Sequence, residues 1–191
     1  MSLSKNTRPR FQRHLCLLAL FAILIFARNV AAQAVASSEN RFEKTVQAYE
    51  AADKTNFPPK GAILLVGDSQ FYRWKTLHED LPDFTIINRG IDSFQFQDIL
   101  YFFDRIVLPY KPRMIVLHVG GNDVHNGKTA EQMLADFKTF VAKVRAVHPK
   151  IPIAFSSITP GPGRWDEADR RKQTNKLLKD YISTQKNLHF I

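Results

Sequence analysis

Gly67-Asp68-Ser69 closes an apolar run, Ala62–Val66, and Gly90 and Asn122 each follow a later apolar run. These residue types suit acyl transfer from an ester, which needs a nucleophile, a base to take its proton, and donors aimed at the developing oxyanion. Ser69 supplies a hydroxyl just past a strand, where a helix is predicted to start near Gln70. Its own N–H, at a helix start, favours negative charge. Gly90, 21 residues later, has no side chain to keep its N–H from a bound carbonyl. Asn122, 32 residues further on in Gly120-Gly121-Asn122-Asp123, offers a side-chain amide. Taken alone, Ser69 reads as a turn serine capping a helix; the three sites together favour the catalytic arrangement.

The elements that must position these residues alternate between strands and helices. Strands are predicted at 62–66, 84–88, 113–119 and 151–157, with a fifth beginning at Leu188. Phe42, Val46 and Tyr49 give a first amphipathic helix. A second is capped by Ser93 and carries Phe96, Ile99, Phe103, Ile106 and Val107. A third opens on the Thr129/Gln132 capping box and buries Met133, Phe137, Val141 and Val144; a basic fourth runs from about Asp166 to Gln185. Pro160-Gly161-Pro162-Gly163 reads as a rigid loop. Strands that are continuous apolar runs imply a mainly parallel sheet of about five strands, covered on both faces. Ligands of such sheets bind beyond the carboxyl ends of the strands. Ser69, Gly90, Asn122 and 156–159 all fall there.

Gly67-Asp68-Ser69, Asn88-Arg89-Gly90 and Gly120-Gly121-Asn122-Asp123, in this order, resemble the SGNH hydrolase (GDSL-like lipase/esterase) superfamily. Pro162-Gly163-Arg164-Trp165 with Asn175 is similar to a bacterial secreted branch of it. The resemblance covers roughly residues 40–191. It implies a flavodoxin-like three-layer α/β/α sandwich and cofactor-free hydrolysis of carboxylic esters. It makes Ser69 the nucleophile, Gly90 and Asn122 the oxyanion donors, and Asp68 a supporting residue. It also implies a small-molecule ester substrate: an acetylated sugar, a short acyl ester or a lysolipid.

The chain departs from that pattern in one respect that matters. The superfamily's base lies in a last block, Asp-x-x-His, and no Asp-x-x-His occurs in the 191 residues. The expectation is a domain whose fifth strand is incomplete, with apolar surface exposed on one sheet flank. Two readings stay open: an ester hydrolase, or a binding protein that keeps the rim but lacks the base. Among the histidines, His125, three residues after Asn122, is the reasonable substitute base. His118 reads as a core residue, His148 as a helix cap and His78 as surface. Gln70 and Ile91-Asp92-Ser93 replace an aliphatic residue and a more Gly-rich stretch. No His, Cys, Asp or Glu cluster has metal spacing, and neither a G-x-S-x-G elbow nor a Walker loop is present.

Composition bounds the rest. The chain is 45% hydrophobic with a formal net charge of +9. Residues 1–34 carry Lys5, Arg8, Arg10, Arg13 and Arg28 and no acid, while the remainder mixes 22 basic with 18 acidic residues. That is a solvated surface rather than a nucleic-acid stripe. A basic stretch, the 12-residue apolar run Leu15–Phe26 and small residues at 30–34 read as a secretory signal peptide over 1–34. The run is short of the ~20 residues of a spanning helix, so no stable membrane span is expected after cleavage. A flexible lead (35–41) and one domain (42–191) follow. The lone Cys16 lies in the signal, so an exported, periplasmic or extracellular chain without disulfides is expected.

Overall fold

The computed structural model describes residues 41–191; the expected signal peptide and nearly all of the lead lie outside the described residues. Helix α1 (Glu43–Thr55) precedes strand β1 (Ile63–Gly67), and two short helices, α2 (Ser69–Arg73) and α3 (Leu77–Asp80), lead to β2 (Ile86–Gly90). Then come α4 (Phe96–Tyr101), α5 (Phe103–Ile106), β3 (Met114–His118), α6 (Gly121–His125), α7 (Ala130–Val147) and β4 (Ile153–Phe155). A 3₁₀ turn (Pro162–Glu167), α8 (Ala168–Ser183) and β5 (Leu188–Phe190) complete the fold.

The five strands are all parallel, in the order β2-β1-β3-β4-β5. This is the flavodoxin-like order, whose strand sequence reverses between β1 and β3. The two faces of the sheet differ. Leu64, Val66, Ile115, Leu117, Ile153 and Phe155 are sealed, and α7 packs on them through Phe137, whose ring stands edge-on to Phe155 at 5.5 Å. Phe140 of α7 meets Phe96 and Phe103 of α4 and α5. Each such buried aromatic is worth roughly 1.5–3 kcal/mol over exposure. On the opposite face Leu65 and Ile86 pack with Phe71 of α2 and Leu77 of α3, while Ile63 and Val116 stay partly exposed. There an apolar groove of about 340 Å³ runs from Trp74 to Ser156 and Ile191.

Two of the helical segments differ from the sequence expectation. The 93–107 periodicity is not one helix: Phe102 (φ −87°, ψ 7°) separates α4 from α5. Nor does Ser93 cap α4; Gln95 does, in a reciprocal arrangement with Asp98. The last long helix starts at Ala168, after the 3₁₀ turn. The Thr129/Gln132 capping box is present as expected, and His148 caps the end of α7.

Candidate functional site

Beyond the carboxyl ends of β1 and β3, at the point where the strand order reverses, lies a cavity of about 160 Å³. Asp68, Ser69 and Gln70 line it from the start of α2, Gly121 and Asn122 from α6, and His118 from the end of β3. Ile158, Thr159, Gly161, Arg164 and Arg171 close the remaining side. Ser69 therefore meets Asn122 because β1 and β3 are neighbours in the sheet although their sequences lie far apart. Among the described residues no hydrogen bond engages the Ser69 hydroxyl. Asp68 caps α2 by accepting the Gln70 N–H at 3.1 Å, which fixes the turn that presents Ser69.

Asn122 Nδ2 donates to Phe94 O at 3.0 Å; an amide nitrogen carries two protons, so one remains for a ligand. Asp123, fully buried, accepts the Phe96 N–H at 3.1 Å and the Lys128 ammonium at 2.9 Å. It thereby locks the N-terminus of α4 to α6 and braces Asn122. Asn175 grips Ile158 through both its N–H and its carbonyl, each at 2.9 Å, and so holds the strip beside the cavity.

Gly90 is placed differently from the other two. It ends β2, its N–H donates to Asn88 Oδ1 at 2.8 Å, and it does not line the cavity. The lack of a side chain there serves packing: a Cβ would lie 2.6 Å from both Phe71 Cβ and Tyr72 N. The neighbouring turn carries an N–H that sequence reasoning missed. Ser93 sits at φ +65°, in the left-handed region that a non-glycine residue adopts at a cost of about 1–3 kcal/mol. Its N–H has no partner among the described residues. The Asn122–Phe94 bond holds this turn against α6. The signal available in the sequence was the replacement of a Gly-rich stretch by Ile91-Asp92-Ser93.

His125, the expected substitute base, does not line the cavity. Its side chain is half exposed, and Nδ1 lies 2.6 Å from Glu167 Oε1. Glu167 is 2% exposed and gives its other oxygen to Arg171 at 2.6 Å. Burial works against the Glu167 charge, yet the bonds from Arg171 and His125 hold its carboxyl below the usual range. The Glu167–Arg171 pair is an i,i+4 charge pair readable in the sequence but not singled out there, whereas the His125–Glu167 link spans 42 residues and had no local signal. Tyr72 and Trp165 are exposed and Phe71 is core, so none of these aromatics lines the cavity.

His118 is both buried, as expected, and part of the cavity wall. Its Nε2 lies 3.9 Å from Asp68 Oδ1. Burial pushes the imidazole below its ordinary pKa against the pull of Asp68, and burial pushes the Asp68 carboxyl up against the pull of His118 and the Gln70 N–H. A histidine kept neutral in the fold adds stability above its unfolded pKa, and that contribution is lost as pH falls. The melting temperature should therefore drop between about pH 7.5 and about pH 5.5, and His118→Phe should flatten that drop in calorimetry. Among the described residues no cluster could hold a metal ion, and no helix is long and apolar enough to cross a membrane.

Residues 60–191 match the GDSL-like lipase/acylhydrolase family. The chain belongs to that family. With it comes membership of the SGNH hydrolase superfamily and, at family level, hydrolysis of esters. Solved structures share the fold. A protein from Streptococcus pneumonia named for platelet activating factor has 20% identity and a TM-score of 0.69, over 85% of this chain and 80% of its own. A GDSL-like lipase from Bacteroides thetaiotaomicron has 19% identity and a TM-score of 0.63, over 76% of each chain. An acetyl xylan esterase from Geobacillus stearothermophilus has 15% identity and a TM-score of 0.54, over 69% of this chain and 76% of its own. No functionally curated protein matches the sequence.

Proposed function

We propose that this family member hydrolyses carboxylic esters of small molecules through a Ser69 acyl-enzyme. The observation that carries the reading is Ser69 and Asn122 lining one cavity where β1 and β3 part. Ser69 Oγ attacks the ester carbonyl, the alcohol leaves, and water then releases the acid from the serine. The oxyanion is met by the Ser69 N–H and the second Asn122 amide proton. Gly90, the other donor that the family resemblance implies, has its N–H on Asn88 here, and the free Ser93 N–H lies in the turn that follows it, neither residue lining the cavity. Each donor of this kind is worth about 2.7–4 kcal/mol in the transition state. The basic and apolar pattern of residues 1–34 supports export, and with it a substrate met outside the cytoplasm. Acetylated sugars, short acyl esters and lysolipids are the substrate classes proposed.

The test is turnover of 4-nitrophenyl acetate. Ser69→Ala should lose nearly all of it while keeping its melting temperature. His125→Ala in the same assay assigns or removes the substitute base. The second reading is a binding protein that keeps the cavity without turning over an ester. That reading prevails if the wild-type rate equals that of Ser69→Ala.

A further inference from the structure

Two guanidinium groups line the Ser69 cavity, and they are in opposite electrostatic states. Arg171 is 4% exposed and fully engaged: Nη2 donates to Glu167 Oε2 at 2.6 Å, Nη1 to Thr159 O at 2.8 Å, and Nη2 also to Gly121 O at 3.2 Å. Its charge is matched by Glu167. Arg164 is half-buried and makes one long contact, Nη1 to Gly121 O at 3.4 Å. It forms no ion pair among the described residues. A break in the 3₁₀ turn at Arg164 (φ −139°, ψ 35°) sets it apart from its neighbour Trp165, which is exposed. The one acid in the lining, Asp68, already accepts the Gln70 N–H and faces His118. The cavity thus holds one uncompensated fork of donors suited to a carboxylate or phosphate.

We propose that Arg164 is a specificity-determining residue and that the preferred ester carries an anionic group, a carboxylate or a phosphate, close to the scissile carbonyl. This rests on the ester hydrolase reading above. Ser69 and Arg164 line the same cavity of about 160 Å³, close to the ~150 Å³ that holds one benzene. An acyl group of about four carbons, or a short phosphorylated alcohol, brings its charge to Arg164.

The test compares esters matched in length. On the acyl side these are mono(4-nitrophenyl) succinate and 4-nitrophenyl butyrate; on the alcohol side, acetylated glycerol 3-phosphate and glycerol monoacetate. In one arm the anionic ester should have a kcat/KM about tenfold higher, and that arm locates the anion. The preference should fade with added salt, collapse toward unity in Arg164→Gln and partly return in Arg164→Lys. No preference in either arm, or a preference that Arg164→Gln leaves intact, overturns the proposal. If no ester is turned over, the hydrolase reading fails by itself and calorimetric binding of succinate against succinamide decides. Tighter succinate binding that Arg164→Gln abolishes upholds the anion site, and equal binding of the two overturns it.

Discussion

Replacing Gly67 by alanine is expected to leave no folded protein. A Cβ at this position would lie 2.0 Å from the His118 carbonyl oxygen and 2.9 Å from its carbon. Both are backbone atoms of the adjacent strand, and the same carbonyl accepts the Asp68 N–H at 3.0 Å. No rotamer change relieves such a contact, so β1 and β3 must separate where the Ser69 cavity is built. The expected measurement is insoluble protein, or soluble protein without a cooperative thermal transition. Gly90→Ala is the informative companion. Alanine keeps the backbone N–H, so a pure donor role would survive the change. The 2.6 Å contacts with Phe71 and Tyr72 instead force α2 away from β2, at about 3 kcal/mol. A Gly90→Ala protein with unchanged melting temperature and reduced kcat would return the donor role to Gly90.

The second large effect centres on Glu167. Its carboxylate is shared between His125 and Arg171, and both Glu167 and Arg171 are almost fully buried. Glu167→Ala leaves a buried guanidinium without its counter-charge, which typically costs about 3–5 kcal/mol. For a domain of this size that is a fall of roughly 10 °C in melting temperature. Removing both partners should be milder than removing one, because no charge is then stranded. A Glu167→Met/Arg171→Met double variant should melt above Glu167→Ala. The reverse order would mean that the pair holds the fold by something other than charge compensation. Because Arg171 also bonds Gly121 and Thr159 in the cavity wall, Glu167→Ala should raise KM as well.

How much of this was legible in the sequence varies with the range of the interaction. The strands were readable because a sheet sealed on one face and half covered on the other needs apolar runs such as Ile63–Val66. Their ends were not: the 84–88 run pairs as Ile86–Gly90 because register is set by β1. The 93–107 periodicity gave the right buried face, yet the break at Phe102 changes backbone direction without changing which residues are apolar. Ser69 and Asn122 were found because strand ends at a parallel rim converge. Gly90 suited a donor in the sequence because glycine serves equally for close packing and for an open N–H, and the contact with α2 adds the packing role, which the sequence did not show. Ser93 was hidden because serine gives no sign of a left-handed conformation. The Glu167–His125 and Arg164–Gly121 contacts were hidden because their partners lie more than 40 residues apart, whereas the Glu167–Arg171 pair, four residues apart on one helical turn, was a local signal that was passed over.

The unequal covering of the two sheet faces bears on how this protein would come apart. The sealed face is buttressed by α4, α5, α7 and α8, whereas Ser69 begins a five-residue helix on the sparsely covered face, over the groove lined by Ile63, Leu65 and Val116. Regions with few buried apolar contacts open at lower free energy than the rest of a domain. Ser69, the proposed nucleophile, therefore rides on the layer expected to detach first. Partial opening would dismantle the candidate site while the long helices stay wound, so loss of the Ser69 cavity and loss of the fold are expected as separate events.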